Sequence, residues 1–204
     1  LDKDESYTFV TDIKYVDATT PRNKEFQKLI SNNHWELKNN ETISYAFLGP
    51  GASYDSTKSD IKEFSGLVAV SDAFKAAAKS SFDIISSYIG VNFQEITESG
   101  DVTGDFRLGI ANKDAFAMDL KFGAYSQGVT NYPKGGNIFF NGTVDKNGNG
   151  EVDYNEADQV KKGTWHFATF LHEIGHSLGL KHPFEDLSGG TSKTSEMFGD
   201  QFDQ

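Results

Sequence analysis

Within residues 167–183, FATFLHEIGHSLGLKHP, two histidines stand four positions apart and a glutamate follows the first. On a helix that spacing sends the imidazoles of His172 and His176 out from one face, where both can meet a single metal ion. Phe167, Phe170, Leu171, Ile174 and Leu178 recur at intervals of three and four, the stripe a helix buries against a core. The metal face and the core face are therefore separate, and the segment predicts a helix that carries ligands on the outside of a packed domain. Gly179 falls where such a helix would end in a left-handed residue, a conformation glycine adopts without a Cβ penalty. The chain can turn there and bring His182 back as a third ligand.

Three neutral imidazoles around one ion leave a fourth position open, which separates a catalytic zinc site from a closed structural one. Zinc lowers the pKa of a water in that position from about 15.7 to about 7. Glu173, beside the first ligand, is placed to take the proton and hand it to a leaving amine. The run HEIGHSLGLKHP resembles the HExxHxxGxxHP pattern of the metzincin zinc proteases, and its wording is most similar to the serralysin branch, the secreted calcium-dependent proteases of bacteria. The resemblance implies a zinc endopeptidase of protein or peptide substrates, acting outside the cell, with Glu173 catalytic and His172, His176 and His182 on the metal.

The chain has 204 residues, enough for one domain with a sizeable core, and residues 1–204 are expected to form one. With 37% hydrophobic residues, 17 Phe and 8 Tyr, it has the material of a folded protein, not a disordered one. A net charge of -11 without any run of Lys or Arg argues against a nucleic-acid or anionic-membrane partner. Cysteine is absent, so disulfides and thiol nucleophiles are excluded and metal sites must use histidines and carboxylates. No apolar run approaches the roughly 18 residues of a membrane span.

Thr20–Pro21 reads as the start of a short helix that Asn32 and Asn33 stop. Ile43, Tyr45 and Phe47 alternate as a half-buried strand, and the polar loop over 49–60 carries no site. A second helix is expected over 71–89, with Ser71 as its cap and Gly90 as its stop. Val91 and Phe93, then Phe106, Leu108 and Ile110, alternate as strands, and two more are expected over 122–129 and 137–141. This order points to an α/β layer rather than a helix bundle. His34–Trp35 with ISYAF, and the later order AY…GG…FFN, resemble serralysin catalytic domains. That resemblance implies a metzincin-like twisted five-stranded mixed sheet with two long helices. Its one antiparallel edge strand, at 122–129, would pair substrate backbone along Ala124, Tyr125 and Ser126. His34 and His166 have no partners at ligand spacing and are left outside the site. No GGxGxD repeats are present.

Residues 145–156, DKNGNGEVDYNE, match an EF-hand calcium loop: Asp145 at position one, Asn147 at three, Asn149 at five, Gly150 at six, Asp153 at nine and Glu156 at twelve. Glu151 would give its backbone carbonyl. The loop reads as a calcium-binding insertion that could order the approach to the zinc helix.

Metzincins continue past the third histidine into a methionine-containing turn and a further helix, whereas here only 21 residues follow Pro183. The one methionine there is Met197, with Gly199 where the serralysin pattern carries a tyrosine. The C-terminal lobe is thus expected to be short or missing, and a missing C-terminal portion of the same protein becomes an expected partner. The alternative function is an inactive zinc- and calcium-binding fragment acting as a binding module, which the intact Glu173 opposes. A calcium sensor is a third reading, although a lone loop of this type is more often structural.

Overall fold

The computed structural model describes residue 35 and residues 41–52, 66–99, 102–112, 123–129 and 135–182. The expected helix after Thr20, the 53–60 part of the polar loop, His34, and everything from Pro183 onward, Met197 included, lie outside the described residues.

Five strands hydrogen-bond in the order β3 (Asn92–Glu95), β1 (Thr42–Phe47), β4 (Phe106–Ala111), β6 (Ile138–Asn141) and β5 (Ala124–Ser126). The first three joins are parallel and the last, β6 to β5, is antiparallel. The mixed sheet with one antiparallel edge is therefore present. A sixth strand, β2 (Leu67–Val68), pairs antiparallel with Ile110 and Ala111, just past the point where β1 leaves β4 at Phe47 and Leu108. Two residues give no period to read in a sequence; the vacant flank of β4 makes this strand.

Two helices cover one face. In α1 (Asp72–Ile89), extended Ser71 accepts the Phe74 N–H at 3.1 Å, and Gly90 ends the helix at φ 68. Phe74 of α1 stands edge-on to Phe140 of β6 (5.1 Å) and to Phe170 of α2 (Trp165–Ser177; 5.0 Å), and Phe140 and Phe170 lie 4.3 Å apart. All three rings are fully buried. Burial of this kind stabilises by about 1.5–3 kcal/mol for each side chain. On the other sheet face, Leu48, Leu67, Ala111 and Phe139 form a smaller cluster.

Every residue of β4 is buried, Arg107 included. Its guanidinium grips Glu98 with two bonds, Nε to Oε1 and Nη2 to Oε2, both 2.6 Å. Such a pair is costly to break from one side, because the charge left behind remains buried.

Candidate functional site

The helix α2 begins at Thr164, whose Oγ accepts the Phe167 N–H at 3.1 Å and gives its own proton to the Lys161 carbonyl at 2.8 Å. Phe167, Phe170 and Ile174 then enter the core, while His172 and His176 stay on the open side. The end of the helix is a Schellman turn: Leu180 N–H reaches the Gly175 carbonyl (2.9 Å) and Gly179 N–H reaches that of His176 (3.0 Å). Gly179 supplies the required positive φ of 101. This reversal returns His182 to the helix.

The three Nε2 atoms converge. His172 and His176 are 2.9 Å apart, and each lies 3.1 Å from His182. His176 Nδ1 sits 2.8 Å from the Leu180 carbonyl, which can only accept, so the ring proton is on Nδ1 and Nε2 turns a lone pair to its neighbours. Three ring nitrogens brought to one point in this way suit a cation at their centre. Tetrahedral zinc with bonds of about 2.0–2.1 Å separates its nitrogen ligands by about 3.3 Å, so the donor set fits that ion. Among the described residues this is the one group of three or more His, Asp or Glu residues close enough to share an ion.

Glu173 is 5% exposed, and its Oε2 has no partner among the described residues. Burial pushes its carboxyl up to about 7, against the Ser126 backbone N–H that pulls it down. That N–H is available because of strand register. Asn141 N–H meets the Gly123 carbonyl and Gln127 N–H meets that of Asn137, so odd-numbered residues of β5 spend their backbone on β6. Even-numbered residues face the outer edge, which no strand covers among the described residues. Of the three residues expected to meet substrate, Tyr125 therefore points its backbone inward and only Ala124 and Ser126 point theirs outward. Ala124 is 6% exposed and the Ser126 N–H is taken by Glu173, which leaves the Ser126 carbonyl as the most available group.

In the loop at 145–156, Asp145 accepts the N–H groups of Gly148, Asn149 and Gly150 at 2.8, 3.2 and 2.9 Å. The side-chain amides of Asn147 and Asn149 both bond the Glu156 carboxylate. Positions one, three, five and twelve thus converge, and Asn149 Oδ1 also holds the Glu151 N–H at 2.8 Å. Asp153 turns the other way. It is fully buried, with Oδ1 accepting the Lys146 N–H at 3.0 Å and Oδ2 lying 3.3 Å from His166 Nε2. The cause is a 3₁₀ turn, Asp153–Asn155, anchored by Tyr154, whose ring packs on Phe140 at 4.9 Å. His166 is likewise buried, edge-on to Tyr154 at 4.8 Å. Burial lowers its imidazole pKa, and Asp153 opposes that shift. Ligand spacing could not reveal this pair, because neither residue belongs to a histidine cluster.

Residues 54–188, about two thirds of the chain, match the sequence profile of the matrixin family. A serralysin of Photorhabdus laumondii subsp. laumondii is 33% identical over 144 residues, covering 69% of this chain and 25% of that protein. A serralysin of Photorhabdus luminescens is 32% identical over 144 residues, with the same shares. The chain spans about a quarter of the length of these curated relatives. A solved structure of myroilysin is similar over 76% of this chain and 54% of its own, with 18% identity and a TM-score of 0.43. The profile covers more than half of the chain and takes in both the histidine tripod and the edge strand, so the chain belongs to the matrixin family of metzincin-like zinc metallopeptidases.

Proposed function

We propose that this chain is one catalytic domain of a zinc-dependent endopeptidase. The observation that supports the reading best is the convergence of three Nε2 atoms within 3.1 Å of one another, next to the buried carboxylate of Glu173 and the free edge of β5. His172, His176 and His182 would hold the ion, which when bound activates water and polarises a carbonyl. Glu173 is the group that takes up and returns the proton. Its carboxylate is fixed by the Ser126 N–H on one side, and its free Oε2 can accept a proton and later donate it. A peptide laid along β5 would give an N–H to the Ser126 carbonyl, with Ala124 extending the ladder. Recognition through main-chain groups is indifferent to most side chains, which suits broad specificity on protein or peptide substrates.

Calcium belongs to the same proposal. Asp145 and Glu156, the side-chain oxygens of Asn147 and Asn149 once their amides turn over, and the Glu151 carbonyl make an oxygen set of the kind a hard cation takes. Asp153 would brace this loop from behind, through Lys146 and His166. The acidic charge of -11 gives no footing for nucleic acid or an anionic membrane. Among the described residues no helix is long and apolar enough to cross a membrane. The serralysin likeness supports a secreted, extracellular workplace.

Casein degradation with and without a zinc chelator tests the activity. Cleavage should stop with the chelator and return on adding zinc. Cleavage indifferent to the chelator, or none from zinc-loaded protein, would refute it.

A further inference from the structure

The last residue of α2, Ser177, directly follows the ligand His176 and is fully buried, yet its side chain does not serve the core. Its Oγ lies 2.7 Å from that of Ser126 and 3.4 Å from the Gly136 carbonyl. Ser126 Oγ in turn accepts the Gly128 N–H at 2.9 Å, and the Gly136 N–H reaches the Gly128 carbonyl at 2.8 Å. A carbonyl only accepts, so the protons can run in one sense: Gly128 N–H to Ser126, Ser126 O–H to Ser177, Ser177 O–H to Gly136. The Gly136 N–H then closes the circuit. Behind it, the Trp35 Nε1–H bonds the Ser177 carbonyl at 2.6 Å, which ties the helix end to the core.

Three separate pieces of chain meet in this ring: the end of β5, the turn before β6 and the last turn of the ligand helix. Ser126 is the shared member. Its backbone N–H holds Glu173 and its backbone carbonyl faces the free edge, while its hydroxyl enters the ring. We propose that the Ser126–Ser177 pair is a latch that fixes the edge strand in register with Glu173, so that Ser177 is a positioning residue for peptide cleavage. The inference rests on the endopeptidase reading and adds to it the means by which a bound peptide and the proton carrier keep their mutual distance. Displacement of a reacting group by about 1 Å can cost about a hundredfold in rate, so a loosened latch acts on turnover even though neither hydroxyl touches the reacting atoms.

The test compares wild type with Ser126→Ala, Ser177→Ala and the double variant, each checked for zinc content and thermal midpoint. Ser126 is only half-buried, so its variant carries the test if Ser177→Ala does not fold. Each single change should lower kcat/KM on a peptide by about tenfold or more with zinc content unchanged, and the double variant should be no worse than either single, as for two members of one unit. Amide hydrogen exchange at Ser126 and Gly128 should speed up by about tenfold in Ser177→Ala, a readout independent of activity. Wild-type kcat/KM in Ser177→Ala, losses that simply multiply, or unchanged exchange would overturn the latch. A drop in thermal midpoint with kcat/KM intact would do the same, since it would mark a structural role only. If zinc-loaded wild type cleaves nothing, the endopeptidase reading and the positioning role fall together, while exchange still decides whether the latch holds the strand.

Discussion

Replacing Gly136 by alanine should destabilise the protein more than the same change at Gly163, where an added Cβ meets open space. Gly136 adopts φ 78, and an added Cβ would sit 2.4 and 2.7 Å from Cδ1 and Cε1 of Phe106 and 3.1 Å from the Asp105 carbonyl oxygen. The Phe106 ring cannot yield, since it is fully buried with Trp35 and Phe93 centred 6.3 Å away and Phe82 at 6.5 Å. The left-handed backbone costs about 1–2 kcal/mol for a residue with a Cβ, and overpacking a filled core adds about 1–3 kcal/mol, together about 2–5 kcal/mol. Gly163 isolates the first part: its φ is 91, but an added Cβ meets nothing within 4 Å. For a domain of this size about 2–4 °C of melting temperature follows each kcal/mol, so Gly136→Ala should lose about 4–20 °C and Gly163→Ala about 2–8 °C. Calorimetry at equal zinc loading measures both. A Gly136 variant that melts no lower than the Gly163 variant would refute the packing argument.

His182→Ala should bind zinc far more weakly, because the tripod loses one of three ligands; elemental analysis showing full retention would remove the site as drawn. Glu173→Ala should keep the metal and the fold but lose about 10²–10⁴-fold in peptide cleavage, and wild-type rates in that variant would exclude its role. Calcium should raise the thermal midpoint, and Glu156→Gln should abolish the rise; an undiminished response would put the ion elsewhere. Since burial holds His166 below its ordinary value of 6.5, the unfolded chain takes up this proton first, and stability is lost as pH falls below about 6.5. His166→Gln should flatten that slope in denaturant titrations, and an identical slope would show that other groups set it.

The sequence declared the parts of the fold whose signals are local. Ser71 and Gly90 marked both ends of α1, the alternation of Ile43 and Tyr45 marked β1, and the histidine spacing marked α2. Local signals fail where the decisive neighbour is remote. Ser126 and Ser177 are 51 positions apart, and each reads alone as an ordinary small polar residue. Asp153 fits a calcium register, yet the ring of Tyr154 beside it draws the turn into the core and turns the carboxylate toward His166. Alternation of Phe106, Leu108 and Ile110 revealed one face of β4 but could not show that Arg107 lies buried on the other, because its partner Glu98 comes from an irregular segment nine positions earlier.

The bracket on Ser71 bears on the order in which the chain can fold. Ser71 N–H bonds Asn155 Oδ1 and its hydroxyl bonds the Asn155 carbonyl, both at 2.8 Å, while the Asn155 amide returns to the Ala69 carbonyl at 2.9 Å. These contacts span 84 to 86 positions. At a synthesis rate of about 5–20 residues per second, about 4–17 s separate the two halves of that bracket during translation. Over that interval α1 can form its own turns and its Ser71 cap, but its start has nothing to fix it in space. The interleaved strand order β3-β1-β4-β6-β5 delays the sheet in the same way, since β1 and β4 must wait for β6 before either face closes. Apolar surface on both helices therefore stays exposed for longer, and the start of α1 is fixed in place only once the turn Asp153–Asn155, within the ion loop, has been made.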